Sequence, residues 1–267
     1  MNWFQAITLG LIQGFTEFLP VSSSGHLVLG QTLLGVSDKG VTFEILVHFG
    51  TLLSVIIYFW RHLWRMVLAI IPPFAEEYQR ERKMIFLLFI ASIPAAFVAF
   101  SPLREIFQGV YEKPEVVALL LIVTGSLLFL PRILTRKNQD RGEVDLKAAI
   151  AMGIGQAFAI LPGVSRSGST IVAGMLSRAN SSAAAEFSFL MAIPAIAAAA
   201  VMELSDIDEV APGLLGPYIA GAVVAFVSGL FAIFAVLESI RKGKFEYFGG
   251  YCLIAGISAF CYFRFFS

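Results

Sequence analysis

The apolar positions of this chain fall into long blocks rather than amphipathic stripes. Six blocks, at 45–60, 84–100, 116–130, 187–202, 214–237 and 247–263, are almost free of charge and are bounded by charged residues, Pro or Gly. A helix needs about 20 mostly apolar residues to cross a bilayer. Each block is therefore expected to be a transmembrane helix, the shorter ones extending into their flanks. Two further regions are apolar but broken. The first runs over 3–19, is interrupted by Pro20-Val21-Ser22-Ser23-Ser24-Gly25-His26, and resumes over 27–34. The second runs over 148–161, is interrupted by Pro162-Gly163-Val164-Ser165-Arg166-Ser167-Gly168-Ser169-Thr170, and resumes over 171–176. Their arms are too short for comfortable spans. Each region is expected to be a helix–loop–helix hairpin that dips into the membrane and returns, because non-helical backbone at depth must be covered by protein or line a wet cavity.

Composition agrees with this pattern and narrows the class. Of 267 residues, 58% are apolar and 14% charged, against about 45–50% and 25% in soluble domains. Mean hydropathy is +0.81. These values exclude a soluble enzyme, a disordered chain and a nucleic-acid binder. The N-terminal stretch has no positive n-region and carries Glu17, so it does not read as a cleaved leader. Cys252 and Cys261 are nine residues apart on one helix and face opposite ways, so they are expected to be unpaired small hydrophobes.

Charge placement orients the chain. The connections 61–83, 131–147 and 238–246 hold 13 of the 19 Lys and Arg, whereas the opposite side holds Lys39, Arg104, Lys113 and Arg264. The 13-charge side is expected to be cytoplasmic, which places Asp206-Ile207-Asp208-Glu209 outside. The first hairpin then enters from outside and the second from the cytoplasm. A shift of 143 residues supports opposed halves: between 6–25 and 149–168, nine positions are identical without a gap, among them Gly10/Gly153, Gln13/Gln156, Ser22/Ser165 and Gly25/Gly168. The expected fold is an all-α polytopic membrane protein of one membrane domain, 1–267. Its six transmembrane helices and two re-entrant hairpins form an inverted-topology repeat with halves 1–135 and 145–267. In such folds the site lies where the two breaks meet.

The breaks carry different chemistry. Gln13 and Glu17, four apart, share a helix face and offer oxygen to a hard cation such as Mg²⁺ or Ca²⁺. Ser22, Ser23 and Ser24 flank Gly25, and His26 lies three residues beyond Ser23. A serine beside an imidazole suits a nucleophile with its base, and His26 acting on water or attacking directly is equally open. In the second break, Gly163, Ser165, Ser167, Gly168, Ser169 and Thr170 precede and open a helix, where free N–H groups face an anion. Arg166 adds a donor fork suited to phosphate oxygens. Bland alternatives exist: small residues that ease helix packing, and an Arg166–Glu17 ion pair that only locks the halves. Glu44 and Glu186 open spans after the hairpins as supporting or snorkelling residues. His48 is a pore or packing residue on this reading, and His62, Trp60 and Trp64 are interfacial. Ionisable groups at depth are functional by default, so the residues alone point to phosphoryl transfer or hydrolysis on a lipid phosphate.

The same residues carry a resemblance. The stretch from Gln13 to His26 resembles the (E/Q)xxxE motif and serine–histidine loop of the bacterial undecaprenyl-diphosphate phosphatases of the bacitracin-resistance type. The stretch Pro162–Thr170 is similar to their PGxSRSxxT motif. The resemblance implies hydrolysis of undecaprenyl diphosphate to the monophosphate and inorganic phosphate, which recycles the lipid carrier for peptidoglycan synthesis, and a dependence on Mg²⁺ or Ca²⁺. It implies cation binding by Gln13 and Glu17, a nucleophile or base at Ser23 and His26, and phosphate binding by Arg166 with Ser165 and Thr170. It leaves the choice between Ser23 and His26 open. The expected setting is the bacterial inner membrane, with an isoprenyl diphosphate lipid as substrate, a cavity opening to the periplasm, no nucleic acid, and a homodimer left open. A lipid transporter or flippase on the same inverted repeat is the competing expectation, and a purely structural membrane protein ranks last.

Overall fold

The computed structural model describes residues 1–36, 41–72, 74–134, 142–203 and 211–265. The expected acidic stretch 206–209 and Lys39, Arg136, Lys137 and Arg141 lie outside them. Among the described residues the fold is all helical, apart from one isolated bridge between Gly142 and Ala179. Six helices are long and apolar enough to cross a membrane. They are α3 (Val41–Tyr58), α5 (Gln79–Ala99), α7 (Pro114–Leu134), α10 (Ser181–Glu203), α11 (Leu215–Arg241) and α12 (Glu246–Phe265). They coincide with the six apolar blocks, α7, α10 and α12 lengthened at both ends and the others at one. Cys252 is buried and Cys261 exposed, both as free thiols.

The broken regions form four shorter helices: α1 (Trp3–Phe18), α2 (Ser23–Leu33), α8 (Leu146–Phe158) and α9 (Arg166–Leu176). Here the boundaries differ from expectation. The second arms begin inside the polar motifs, at Ser23 and Arg166, not at 27 and 171. The cause is capping. Ser22 Oγ accepts the backbone N–H of Gly25 at 3.2 Å, and Ser165 Oγ accepts that of Gly168 at 3.0 Å. A serine at the N-cap satisfies a free donor of the first turn and lets the helix start there. Two helices were not anticipated: α4 (Trp60–Ala69), which follows α3 after Phe59, and the short α6 (Leu103–Gln108). On α4, Trp60 and Trp64 stack with centroids 5.9 Å apart and are both exposed, and Arg65 pairs with Glu81 of α5 at 2.6 Å.

Helix packing rests on small residues. The arm α1 packs on α11, where Gly10 lies against the backbone of Gly221. The arm α8 packs on α5, where a Cβ added to Gly153 would stand 2.5 Å from the Ala91 carbonyl oxygen. Gly10 and Gly153 are equivalent positions of the sequence repeat, and each arm packs on a helix of the other half. Helices α7 and α12 are joined through Gly125, Gly249 and Gly256. Large apolar side chains such as Phe89, Phe97, Val227, Phe231 and Ile254 stay exposed on the outer faces. This suits lipid, in which the drive for association is close packing rather than escape from water.

Candidate active site

The two breaks, 149 residues apart in the chain at their charged residues, meet inside the helix bundle. A Cβ on Gly25 would lie 3.1 Å from Gly163 Cα. Ser167 Oγ donates to the Leu19 carbonyl at 3.1 Å. Arg166 Nη2 donates to Glu17 Oε1 at 2.7 Å, with the two side chains only 15% and 7% exposed. The backbone of the second break is held from α7: Thr124 Oγ1 donates to the Gly163 carbonyl at 2.8 Å and accepts the Ser165 N–H at 3.1 Å. Gly163 has φ +99°, and a Cβ there would also strike the Val117 carbonyl. In the first break the left-handed residue is Ser22, at φ 69°. A non-glycine residue in this region is strained by roughly 1–3 kcal/mol and is held by its surroundings.

Glu17 is the hub. Besides Arg166 on Oε1, its Oε2 accepts Gln13 Nε2 at 3.0 Å and Ser23 Oγ at 2.7 Å. The Ser23 hydroxyl is thus bonded to the carboxylate and not to His26. The His26 ring bonds elsewhere, with Nδ1 2.9 Å from the Ser22 carbonyl oxygen and Nε2 2.9 Å from the Tyr251 hydroxyl. Gln13 is fully buried, and its Oε1 has no hydrogen-bond partner among the described residues.

The hydroxyls of the second break serve mainly the break itself. Ser165 caps α9 and lies 3.3 Å from Ser167 Oγ. Thr170 Oγ1 reaches the Arg166 and Ser167 carbonyls and shares a 2.7 Å bond with Ser188 Oγ. Ser169 is buried on the same turn. Arg166 Nη1 donates to the Ser188 carbonyl at 3.1 Å, which leaves part of its fork for another acceptor. Outside this cluster, Glu44 accepts Gln31 Nε2 at 2.8 Å. Glu186 lines a separate cavity of about 310 Å³ with His62, Arg65, Arg80, Glu81 and Met84.

Comparison with known proteins identifies the family of the chain. The family model described as Bacitracin resistance protein BacA matches residues 6–258. The chain belongs to the BacA family. Among similar proteins, the Undecaprenyl-diphosphatase of Syntrophotalea carbinolica is 40% identical over 257 residues, covering 96% of this chain and 97% of its own. That of Halothermothrix orenii is 39% identical, with 96% of both chains covered. That of Methanobrevibacter smithii is 37% identical, with 97% of both covered.

Four residues of this BacA-family site were not found from sequence. Thr124 and Ser188 are single hydroxyls inside apolar blocks, and their presence at depth was the only available signal. Tyr251 reads as one more aromatic near a helix end. Tyr111, in the connection before α7, carries no motif, yet its hydroxyl shares a hydrogen bond with Ser24. Burial pushes its phenol well above the usual range, and the carboxylates of Glu44, Glu203 and Glu17 add to this. It therefore remains a protonated phenol at neutral pH.

Proposed function

We propose that this BacA-family protein hydrolyses undecaprenyl diphosphate to undecaprenyl phosphate and inorganic phosphate in the bacterial inner membrane. The observation that carries the assignment of the site is the buried cluster in which Arg166 and Ser23 converge on one carboxylate, Glu17. Phosphoryl transfer needs positioning and charge stabilisation around the equatorial oxygens, and an Arg fork beside an activated hydroxyl at lipid depth provides both.

The arriving diphosphate competes for Arg166, and the guanidinium passes from Glu17 to the phosphate oxygens. Glu17, relieved of its counter-ion, becomes a stronger base for the hydroxyl already bonded to it. Ser23 Oγ then forms a bond to the terminal phosphorus while its proton moves to Glu17. The bond from that phosphorus to the bridging oxygen breaks, and undecaprenyl phosphate leaves with the electron pair. Water next attacks the phosphoserine, with His26 as acceptor of the water's proton. The phosphorus–oxygen bond to Ser23 breaks as the serine oxygen regains its proton from Glu17, and inorganic phosphate leaves with the proton that His26 held.

A divalent cation would find hard oxygen donors at this site. Gln13 Oε1, without a hydrogen-bond partner among the described residues, and the Glu17 carboxylate would be the protein groups that hold it. Among the described residues no three His, Cys, Asp or Glu cluster to form a complete cage. Mg²⁺ commonly takes one or two carboxylates, waters and substrate phosphate oxygens. Its contribution when bound is neutralisation of charge on the diphosphate.

The matching contacts of Gly10 and Gly153 support opposed halves that share one site, and the charge bias supports entry of the first hairpin from the periplasm. Tyr111, from a connection on that side, reaches Ser24 and supports a cavity opening there. The test is phosphate release from an isoprenyl diphosphate by purified protein in detergent with Mg²⁺. Wild type is expected to release phosphate, and Ser23→Ala and Arg166→Ala to lose at least about 100-fold in rate. Full rate in both variants overturns the site.

A further inference from the structure

The contacts of His26 decide its tautomer. A carbonyl oxygen only accepts, so the Nδ1 atom 2.9 Å from Ser22 O carries the ring proton. The neutral imidazole then keeps one lone pair, on Nε2. That lone pair faces the Tyr251 hydroxyl at 2.9 Å, so the phenol donates to it. The two rings lie within 12° of parallel with centroids 5.6 Å apart. Nε2 is thus aimed at α12, whereas the Ser23 hydroxyl is aimed at Glu17.

Packing alone does not account for the Tyr251 hydroxyl. Tyr251 is 49% exposed, and Tyr247, one turn earlier on the same helix, is 68% exposed. The difference between them is the bond to His26, made from a helix 225 residues away in the chain.

We infer that Tyr251 is the positioning residue of His26: with the Ser22 carbonyl fixing the imidazole as the Nδ1–H tautomer, the Tyr251 hydroxyl holds Nε2 away from Ser23. The ring's one lone pair is engaged by this hydroxyl at rest, so the second-step water takes the hydroxyl's place at Nε2 as it gives up its proton. The hydroxyl oxygen then accepts from the new Nε2–H, and the ring does not move. The division of labour follows, with Glu17 as base for Ser23 and His26 reserved for the water of the second step. The inference rests on the proposed role of His26 in the reaction.

The test compares Tyr251→Phe with Tyr247→Phe and His26→Ala in the phosphate-release assay. Tyr251→Phe is expected to lower kcat about tenfold, a fraction of the 10²–10⁴ that an acid–base group contributes, with KM unchanged. Tyr247→Phe is expected to match wild type. Nitrogen NMR of histidine-labelled protein supplies a second readout, since the chain has three histidines and the His26 signal is the one lost in His26→Ala. Wild type is expected to show the Nδ1–H tautomer, and Tyr251→Phe a displaced Nε2 resonance. Full kcat in Tyr251→Phe beside an inactive His26→Ala overturns the role of Tyr251 alone, as does an Nε2–H tautomer in wild type. Full rate in His26→Ala, with the Tyr251-dependent Nε2 shift intact, overturns instead the role of His26 in the reaction.

Discussion

Arg166 and Glu17 are each other's counter-ions in a place where neither charge survives alone. Removing one partner of a buried pair leaves the other uncompensated, at a cost of about 3–5 kcal/mol. Arg166→Ala therefore mixes instability with lost chemistry. Arg166→Lys keeps the charge and separates the two. A lysine cannot reproduce the fork that spans Glu17 Oε1 and the Ser188 carbonyl. The variant is expected to stay folded by size-exclusion chromatography while phosphate release falls at least about tenfold. Near-normal activity would show that a point charge suffices. The identities of Glu17, His26 and Arg166 were legible in the sequence because ionisable groups inside apolar blocks have few bland explanations. The Arg166–Glu17 ion pair was legible as well, as the bland alternative of a lock between the halves; the partner of Ser23 was not. Ser23 stands within one turn of His26 and six residues from Glu17, and spacing alone favours the imidazole. The left-handed backbone at Ser22 and the bond from Nδ1 to its carbonyl turn the ring away, and no sequence pattern announces either.

At the scale of elements, the apolar blocks located the six spans, and the polar motifs located the breaks. The starts of α2 and α9 were missed because Ser22 and Ser165 read as chemistry when they also cap helices. Their hydroxyls serve the backbone N–H groups of Gly25 and Gly168. The helix α4 was missed because its Trp, Arg and His residues interrupt the apolar run that the search for spans follows. Contact between elements depends on glycines that composition alone does not distinguish. Gly153→Ala brings a Cβ to 2.5 Å from the Ala91 carbonyl oxygen, and α8 must move off α5. A loss of about 1–3 kcal/mol is expected, read as a lower midpoint of thermal unfolding in detergent. Gly250→Ala meets nothing within 4 Å and is expected to match or exceed wild type, helix interiors favouring Ala over Gly. Equal midpoints for the two variants would mean that the α5–α8 contact tolerates separation. Thr124→Val tests the support of the second break. It strips a donor from the Gly163 carbonyl and an acceptor from the Ser165 N–H, at about 1–3 kcal/mol per unsatisfied group. Thermal unfolding of Thr124→Ser, which retains the hydroxyl, should remain near wild type.

For the whole molecule, the distribution of Lys and Arg carries an orientation that the all-helical fold does not itself supply. A cysteine at position 24, in a background lacking Cys252 and Cys261, is expected to react with an impermeant thiol reagent added outside intact cells. Reaction only after the inner face is exposed would reverse the orientation. Substrate lipid added before the reagent is expected to slow labelling, because Ser24 adjoins the Ser23–Glu17 cluster. The sequence repeat is carried by nine identities between the first arms, and the two copies differ at the charged positions: Glu17 aligns with Ile160, and Ser23 with Arg166.

The pairing of Glu17 with Arg166 also sets a timetable for biosynthesis. The two residues are separated by 149 positions, and translation proceeds at about 5–20 residues per second. For roughly seven to thirty seconds the first break exists without the guanidinium that neutralises its carboxylate. During that interval Glu17 must remain protonated, stay near the aqueous face or rest inside the insertion machinery. The Glu17–Arg166 pair therefore forms only after the second break has been made, and the candidate site is among the last parts of the protein to assemble.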